Sequence, residues 1–153
     1  MDLMFAREFA RGVLDAHWDK KLPVNAVQIA YKAGMNVVYD TSLSDKNISG
    51  KTVNKTIKVN PLESTMRQRF TIFHEMGHIL MEHGDMNRMD SDAYGKESSP
   101  KELAANAFAI EMALPINAVS MLKEIGMSVR EIADEFDVSD RIMELRLKEL
   151  GYA

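Results

Sequence analysis

Cysteine is absent from the 153 residues of this sequence. The absence excludes disulfide frameworks, thiolate zinc sites and cysteine nucleophiles together. A chain of this length can bury roughly two thirds of its unfolded surface, so a compact core needs no covalent cross-link. We therefore expect a fold that is stabilised by packing, and any metal site in it to lack thiolate ligands.

Long apolar runs and an excess of positive charge are also missing. No stretch approaches the roughly 18 apolar residues that a membrane-spanning helix needs. Asp2, Arg7 and Glu8 interrupt the first apolar stretch, which is unlike a secretory signal. The formal net charge of −4, with 27% charged residues, argues against a broad phosphate-binding surface. We expect a cytoplasmic protein that does not enter membranes.

The sequence does contain an H-E-x-x-H pattern at residues 74–78. On an α-helix the two histidines fall on nearly the same face, so both imidazoles can reach one metal ion. Glu75 lies beside them, where it can take a proton from a water. The flanking residues are apolar, and burying these polar groups among them is costly without partners. Gly77 costs about 1 kcal/mol relative to alanine in mid-helix, which suggests a close approach there. A metal site explains the pattern better than a chance match does.

A third ligand must come from elsewhere in the chain. A metzincin would have glycine at position 81 and histidine at position 84, but this chain has Met81 and Gly84. His83 lies about 140° around the helix from His78, so we expect it to face elsewhere or to cap the helix end. Glu102 is the better candidate, because two histidines and a glutamate leave one coordination position open, as in catalytic zinc sites.

Glu102 also has a purely structural interpretation. Residues 99–102 read Ser-Pro-Lys-Glu, which is typical of a capping box in which the Glu102 carboxylate turns back to the backbone of Ser99. From the residues alone, a role of Glu102 as metal ligand and a role as helix cap are almost equally supported. Asn106 lies one turn later on the same face and tilts the balance slightly, because a second-shell amide there can hold a ligand histidine.

The remaining pattern predicts an α+β fold. Strands are expected at residues 36–39, 46–53 and 55–60, with a hairpin turn at 54–55, so we predict a small antiparallel sheet packed on the metal helix. The polar residues 84–99 predict a loop between the two ligand helices. Helices are predicted at residues 1–20, 25–33, 100–113, 116–125, 128–136 and 140–150.

The last two helices have the rhythm of a helix-turn-helix. The charges of the final helix sum to zero, and no basic or amide cluster gathers where base contacts would be made. Direct nucleic-acid binding is therefore the less favoured interpretation. We predict a core with its N-terminal helix at residues 1–115 and a helical, helix-turn-helix-like appendage packed on it at residues 116–153.

Five segments, taken in order, resemble the ImmA/IrrE family of zinc metallopeptidases, in its short, phage- or mobile-element-type form. The similarity runs from about Val24 to the C-terminus and includes residues 57–61, 67–71, 74–78, 102–109 and 112–115. It implies a zincin-like fold with a helical tail and a gluzincin-type site. In that site one Zn²⁺ per chain, or another divalent metal such as Mn²⁺, is held by His74, His78 and Glu102, and Glu75 is the general base.

The resemblance also implies a protein partner, since family members typically act on helix-turn-helix (Xre-type) repressors. We expect an endopeptidase that cleaves or inactivates such a repressor to derepress phage, mobile-element or stress genes. The alternatives are a non-catalytic metal protein that sequesters the repressor and a DNA-binding regulator. Glu75 favours the enzyme, because a structural metal site needs no base. Candidate oxyanion or substrate contacts are Arg69, His83, Arg88 and Tyr94.

Overall fold

The computed structural model describes residues 3–81 and 99–152. The predicted loop at 84–99 therefore lies, except for Ser99, outside the described residues. Within these ranges the chain forms, in order, α1 (Leu3–His17), α2 (Ala26–Lys32), β1 (Asn36–Tyr39), a 3₁₀ helix (Thr41–Lys46), β2 (Gly50–Val53), β3 (Thr56–Val59), α3 (Thr65–Leu80), α4 (Pro100–Ala113), α5 (Ile116–Glu124), α6 (Val129–Phe136) and α7 (Asp140–Glu149). The α+β class is confirmed.

The three-stranded sheet is mixed, with the strand order β1-β3-β2. β2 and β3 form the predicted antiparallel hairpin, with Gly50 opposite Val59. β1 pairs with β3 in parallel, so the antiparallel prediction holds only for the hairpin. The difference arises in the segment predicted as a strand at 46–53. Lys46, the first residue of that segment, is the last residue of the 3₁₀ helix instead. Asn47 follows in the left-handed region at φ 55°, and the chain then enters the sheet on the far side of β3.

Helices α3 and α4 pack closely because Gly77 has no side chain. A Cβ atom added at Gly77 would lie 3.1 Å from the ring of Phe108, which is fully buried on α4. The close approach expected at this glycine is therefore found, and its neighbour is an aromatic ring. The pair is part of a continuous core that also includes Phe73 and Met76 of α3 and Phe136 of α6.

The C-terminal helices contact the rest of the chain through polar groups as well. The guanidinium of Arg146 on α7 donates to the carbonyl oxygen of Leu114 at 2.9 Å and to Glu111 Oε1 at 2.8 Å. At the α6–α7 turn, Arg69 on α3 donates to Asp137 Oδ2 at 3.0 Å. These bonds fix α7 against α4 and the turn against α3. A domain boundary at residue 115 stays a prediction.

Among the described residues, no single helix has the length and apolar character to cross a membrane. Within residues 3–81 and 99–152, one pair of helices, α4 and α5, would meet that requirement when taken together, by length and composition alone, and the pair is bent by 46° at its break.

Candidate metal centre

Helix α3 places the two histidines of the motif side by side. Ser64 caps the helix, its side chain accepting the backbone N–H of Arg67, so the helix is regular through Leu80. One helical turn separates His74 and His78, and their Nε2 atoms lie 3.2 Å apart. Two ring nitrogens this close can share a ligand.

Helix α4 adds the carboxylate of Glu102. Ser99 Oγ accepts the backbone N–H of Glu102 at 3.2 Å, which is half of the predicted capping box. The Glu102 carboxylate lies at the histidines instead. Its Oε1 is 2.5 Å from His78 Nε2 and 3.4 Å from His74 Nε2. The third member of the cluster is thus Glu102, for which the sequence alone did not decide between a capping role and a ligand role.

The chemistry of this cluster fits a divalent cation. One donor atom from each of His74, His78 and Glu102 lies within 4.8 Å of the others. The second carboxylate oxygen of Glu102 is buried and has no hydrogen-bond partner among the described residues. A buried carboxylate oxygen without a partner is costly, and a cation would satisfy it. Two imidazoles and one carboxylate are the donor set of open, catalytic zinc sites.

The electrostatics of the cluster are those of imidazoles beside a carboxylate. Burial opposes a charge on His74, but its hydrogen bond to Glu102 and the charge of Glu75 outweigh burial and raise the pKa of the imidazole above 6.5. Burial likewise opposes ionisation of Glu102, and its bonds to His74 and His78 outweigh it, so the pKa of this carboxyl lies below its usual range. The cluster therefore favours positive charge at its centre.

Asn106, also on α4, orients one of the histidines. Its Oδ1 lies 2.8 Å from Nδ1 of His74. An amide oxygen can only accept this bond, so Nδ1 carries the proton and, in the neutral ring, Nε2 presents its lone pair to the cluster. The geometry is the one expected of a residue that holds a ligand histidine from behind.

Thr52 on β2 is a member of the site that the sequence did not reveal. Its hydroxyl donates to Glu75 Oε1 at 2.7 Å, and Glu75 itself is buried. β2 comes close enough because Gly50 has no side chain, since a Cβ atom there would lie 2.4 Å from a methyl group of Thr71 on α3. In a strand, Gly50 and Thr52 share one face. In the sequence, the only sign of this role is that Thr52 lies two residues after Gly50 in a predicted strand.

Of the four candidate oxyanion or substrate contacts, the structure describes only Arg69, which is bonded away from the histidines. Arg69 donates to the carbonyl oxygen of Asp137 at 3.2 Å and to its carboxylate, so its guanidinium is committed to the α6–α7 turn. His83, Arg88 and Tyr94 lie outside the described residues. A role for any of these four in catalysis stays a prediction.

The cluster opens onto a cavity of about 510 Å³. His74, Glu75 and Asn106 border it, together with Gly50 of β2. Most of the remaining wall is apolar and comes from α3, α4 and α7. The lining includes Met66, Phe70, Ala109, Ile110, Ile142 and Leu145. A cavity of this size and character is typical of sites that bind an organic ligand.

A small mixed sheet, an H-E-x-x-H helix and a glutamate on a second helix define a zincin-like protein with a potential metal centre. The chain belongs to the Peptidase_M78 family, since the IrrE N-terminal-like domain matches residues 30–148. This match confirms the resemblance to the ImmA/IrrE family and places the chain among metallopeptidase domains.

A solved structure described as a "Mycobacterium tuberculosis transcriptional regulator" is similar in fold, with a TM-score of 0.62 at 16% identity. The similarity covers 95% of this chain and 46% of that one, so this chain spans about half of the regulator's length. No curated protein matches the sequence.

Proposed function

We propose that this protein is a zinc-dependent endopeptidase that cleaves a helix-turn-helix (Xre-type) repressor. The observation that carries the proposal is the convergence of His74, His78 and Glu102, with the buried carboxylate of Glu75 at the same cavity. A structural zinc site is usually closed by four protein ligands. Three donors beside a glutamate and an open cavity are arranged for hydrolysis.

His74, His78 and Glu102 would hold the ion, which when bound lowers the pKa of a water to about 7 and polarises the substrate carbonyl. Glu75 takes one proton from the attacking water and transfers it to the leaving amine as the C–N bond breaks. The Thr52 hydroxyl donates to Oε1 of Glu75 and so positions the carboxylate that carries the proton. Asn106 holds His74 in the tautomer that leaves Nε2 unprotonated.

Strand β2 is suited to align a peptide substrate. It is one of the two edge strands of the sheet, and Gly50 at its start lines the cavity. An extended segment can add to an exposed strand edge through backbone hydrogen bonds. We propose that the substrate pairs with β2, which would place a peptide carbonyl near the histidines.

A protein partner is better supported than nucleic acid. The last helix carries a balanced set of charges, and Arg146 is buried in bonds to Glu111, Glu149 and the carbonyl oxygen of Leu114. This arginine cannot reach a phosphate without breaking those bonds. The solved regulator resembles this chain in fold alone. The repressor substrate and the cytoplasmic location are our proposals.

The experiment is incubation of zinc-loaded protein with Xre-type repressors from the source genome, read by intact mass. We expect discrete fragments from the wild type. Glu75→Gln should bind zinc as well as the wild type and produce none, because an amide cannot accept the proton. Full cleavage by this variant would overturn the role of Glu75.

Sequestration of the repressor is the competing function. It predicts an uncut repressor that co-purifies with both wild type and Glu75→Gln. Cleavage by the wild type alone contradicts it.

A further inference from the structure

The apolar cavity extends from the metal cluster to α7, in the helical tail. Ile142, Leu145 and Glu149 of α7 line it, at the i, i+3, i+7 spacing of one helix face. Met66 and Phe70 of α3 form the neighbouring wall. The tail therefore contributes a wall to the same cavity that His74 and Glu75 border.

The α7 wall is held in a defined position. Arg146 is 3% exposed, and its guanidinium joins α7 to Glu111 and to the carbonyl oxygen of Leu114 at the end of α4. A second attachment lies at the α6–α7 turn, where Thr65 Oγ1 donates to Asp137 Oδ2 at 2.7 Å. A wall fixed at two points presents the same surface to each ligand.

The charged groups on the α7 side of the cavity are already paired. Arg146 lies within 2.6 Å of Glu149 Oε1 and within 2.8 Å of Glu111 Oε1. Glu149 also contacts Arg7 at 3.5 Å. Since these charges neutralise one another, the Ile142 and Leu145 side chains determine what this wall attracts.

Building on the proposed function, we propose that this cavity receives a large apolar side chain of the substrate, beside the scissile bond. Ile142 and Leu145 of α7 then determine specificity. Because His74 and Glu75 border the cavity, a peptide with its scissile carbonyl at the histidines would place a neighbouring side chain at the cavity mouth. A branched or aromatic side chain would bury its surface against the apolar residues of α3, α4 and α7, whereas a charged one would lose hydration among them.

Two hydroxamates test this without requiring a known substrate. Acetohydroxamate binds a zinc ion with a methyl group as its only side chain, and a second hydroxamate carries an isobutyl group in its place. Calorimetry would measure both affinities for the zinc-loaded full chain. We expect the isobutyl compound to bind about tenfold to a hundredfold more tightly, the gain from burying those carbons.

Leu145→Asn should reduce that preference by about fivefold or more, with the affinity for acetohydroxamate unchanged. Leu145 is 52% exposed, so its replacement leaves the core intact. The matched control is Met121→Asn on α5, at a residue that is 60% exposed and does not line the cavity. This control should keep the full preference.

Equal affinities of the two compounds for the wild type, or an unchanged preference in Leu145→Asn, would overturn the specificity assignment and leave the peptidase proposal standing. Failure of both hydroxamates to bind would overturn the open metal centre, and with it the proposed function and this inference.

Discussion

At the scale of single residues, Thr52 and Glu75 form a pair that links the sheet to the proposed base. Thr52→Val keeps the side chain's shape and removes the hydroxyl. We expect its turnover of the repressor to fall by about tenfold, because the Glu75 carboxylate loses one of its positioning bonds. Thr52→Ser should keep most of the activity. Initial rates by intact mass, with zinc content measured in parallel, check this.

Equal rates for the valine and serine variants would contradict a positioning role for the hydroxyl. A loss of zinc from Thr52→Val alone would instead indicate that β2 supports the ligand helix.

Protons should compete with the metal at His74. The pKa of this imidazole is raised above 6.5, while that of the Glu102 carboxyl is lowered, so His74 takes up a proton before Glu102 does as the pH falls. Below the raised pKa we expect zinc affinity to fall by about tenfold per pH unit. Titration against a chelator of known affinity measures it. A constant affinity from neutral to mildly acidic pH would contradict the assignment.

Local spacing was enough to predict part of this site. The His74, Glu75 and His78 positions follow from helical periodicity alone, which needs no knowledge of the fold. The role of Glu102 could not be decided from the sequence, because a helix cap and a metal ligand at this position differ only in what packs against the start of α4. Thr52 could not be predicted, because its bond depends on the register of β2 against α3.

At the scale of elements, the α3–α4 contact holds the cluster together. Gly77→Ala would place a Cβ atom 3.1 Å from the buried ring of Phe108. We expect this substitution to destabilise the metal-free fold by about 1–3 kcal/mol through overpacking and to weaken zinc binding. Urea unfolding and chelator titration measure the two effects.

The matched control is Gly12→Ala on α1, where an added Cβ atom meets nothing within 4 Å. Alanine's higher helix propensity should stabilise that variant by about 0.5–1 kcal/mol. Equal changes at the two glycines would mean that the helix contact accommodates a methyl group.

The elements themselves were predicted with different success. The predicted α-helices match the observed ones to within a few residues at their ends, because apolar periodicity, N-terminal caps such as Ser99, and Pro115 mark them locally. The parallel pairing of β1 with β3 was missed, since it joins segments about 20 residues apart. The turn at Asn47 that makes it possible depends on one left-handed residue.

At the scale of the whole molecule, Arg146 and Glu111 form a buried ion pair between α7 and α4. Arg146→Met would leave the Glu111 carboxylate buried with Arg11 at 3.6 Å. We expect a loss of about 3–5 kcal/mol in the free energy of unfolding. The double variant Arg146→Met with Glu111→Gln should lose less, because a neutral amide replaces the carboxylate that Arg11 would otherwise balance alone. Urea unfolding compares them.

Arg130→Met is the surface control. Arg130 pairs with Asp140 at 3.2 Å while 77% exposed, so its loss should cost at most about 1 kcal/mol. A cost for Arg146→Met as small as this one would show that α7 is not anchored by the buried pair.

The contribution of α7 to the cavity separates two tasks that many enzymes combine. The three candidate metal ligands lie on α3 and α4, and none of them lies on α7. A library of substitutions at Ile142 and Leu145 would therefore alter which peptides are accepted while metal loading is retained. The same division would let substitutions in the last helix change the proposed substrate without altering the three candidate ligands.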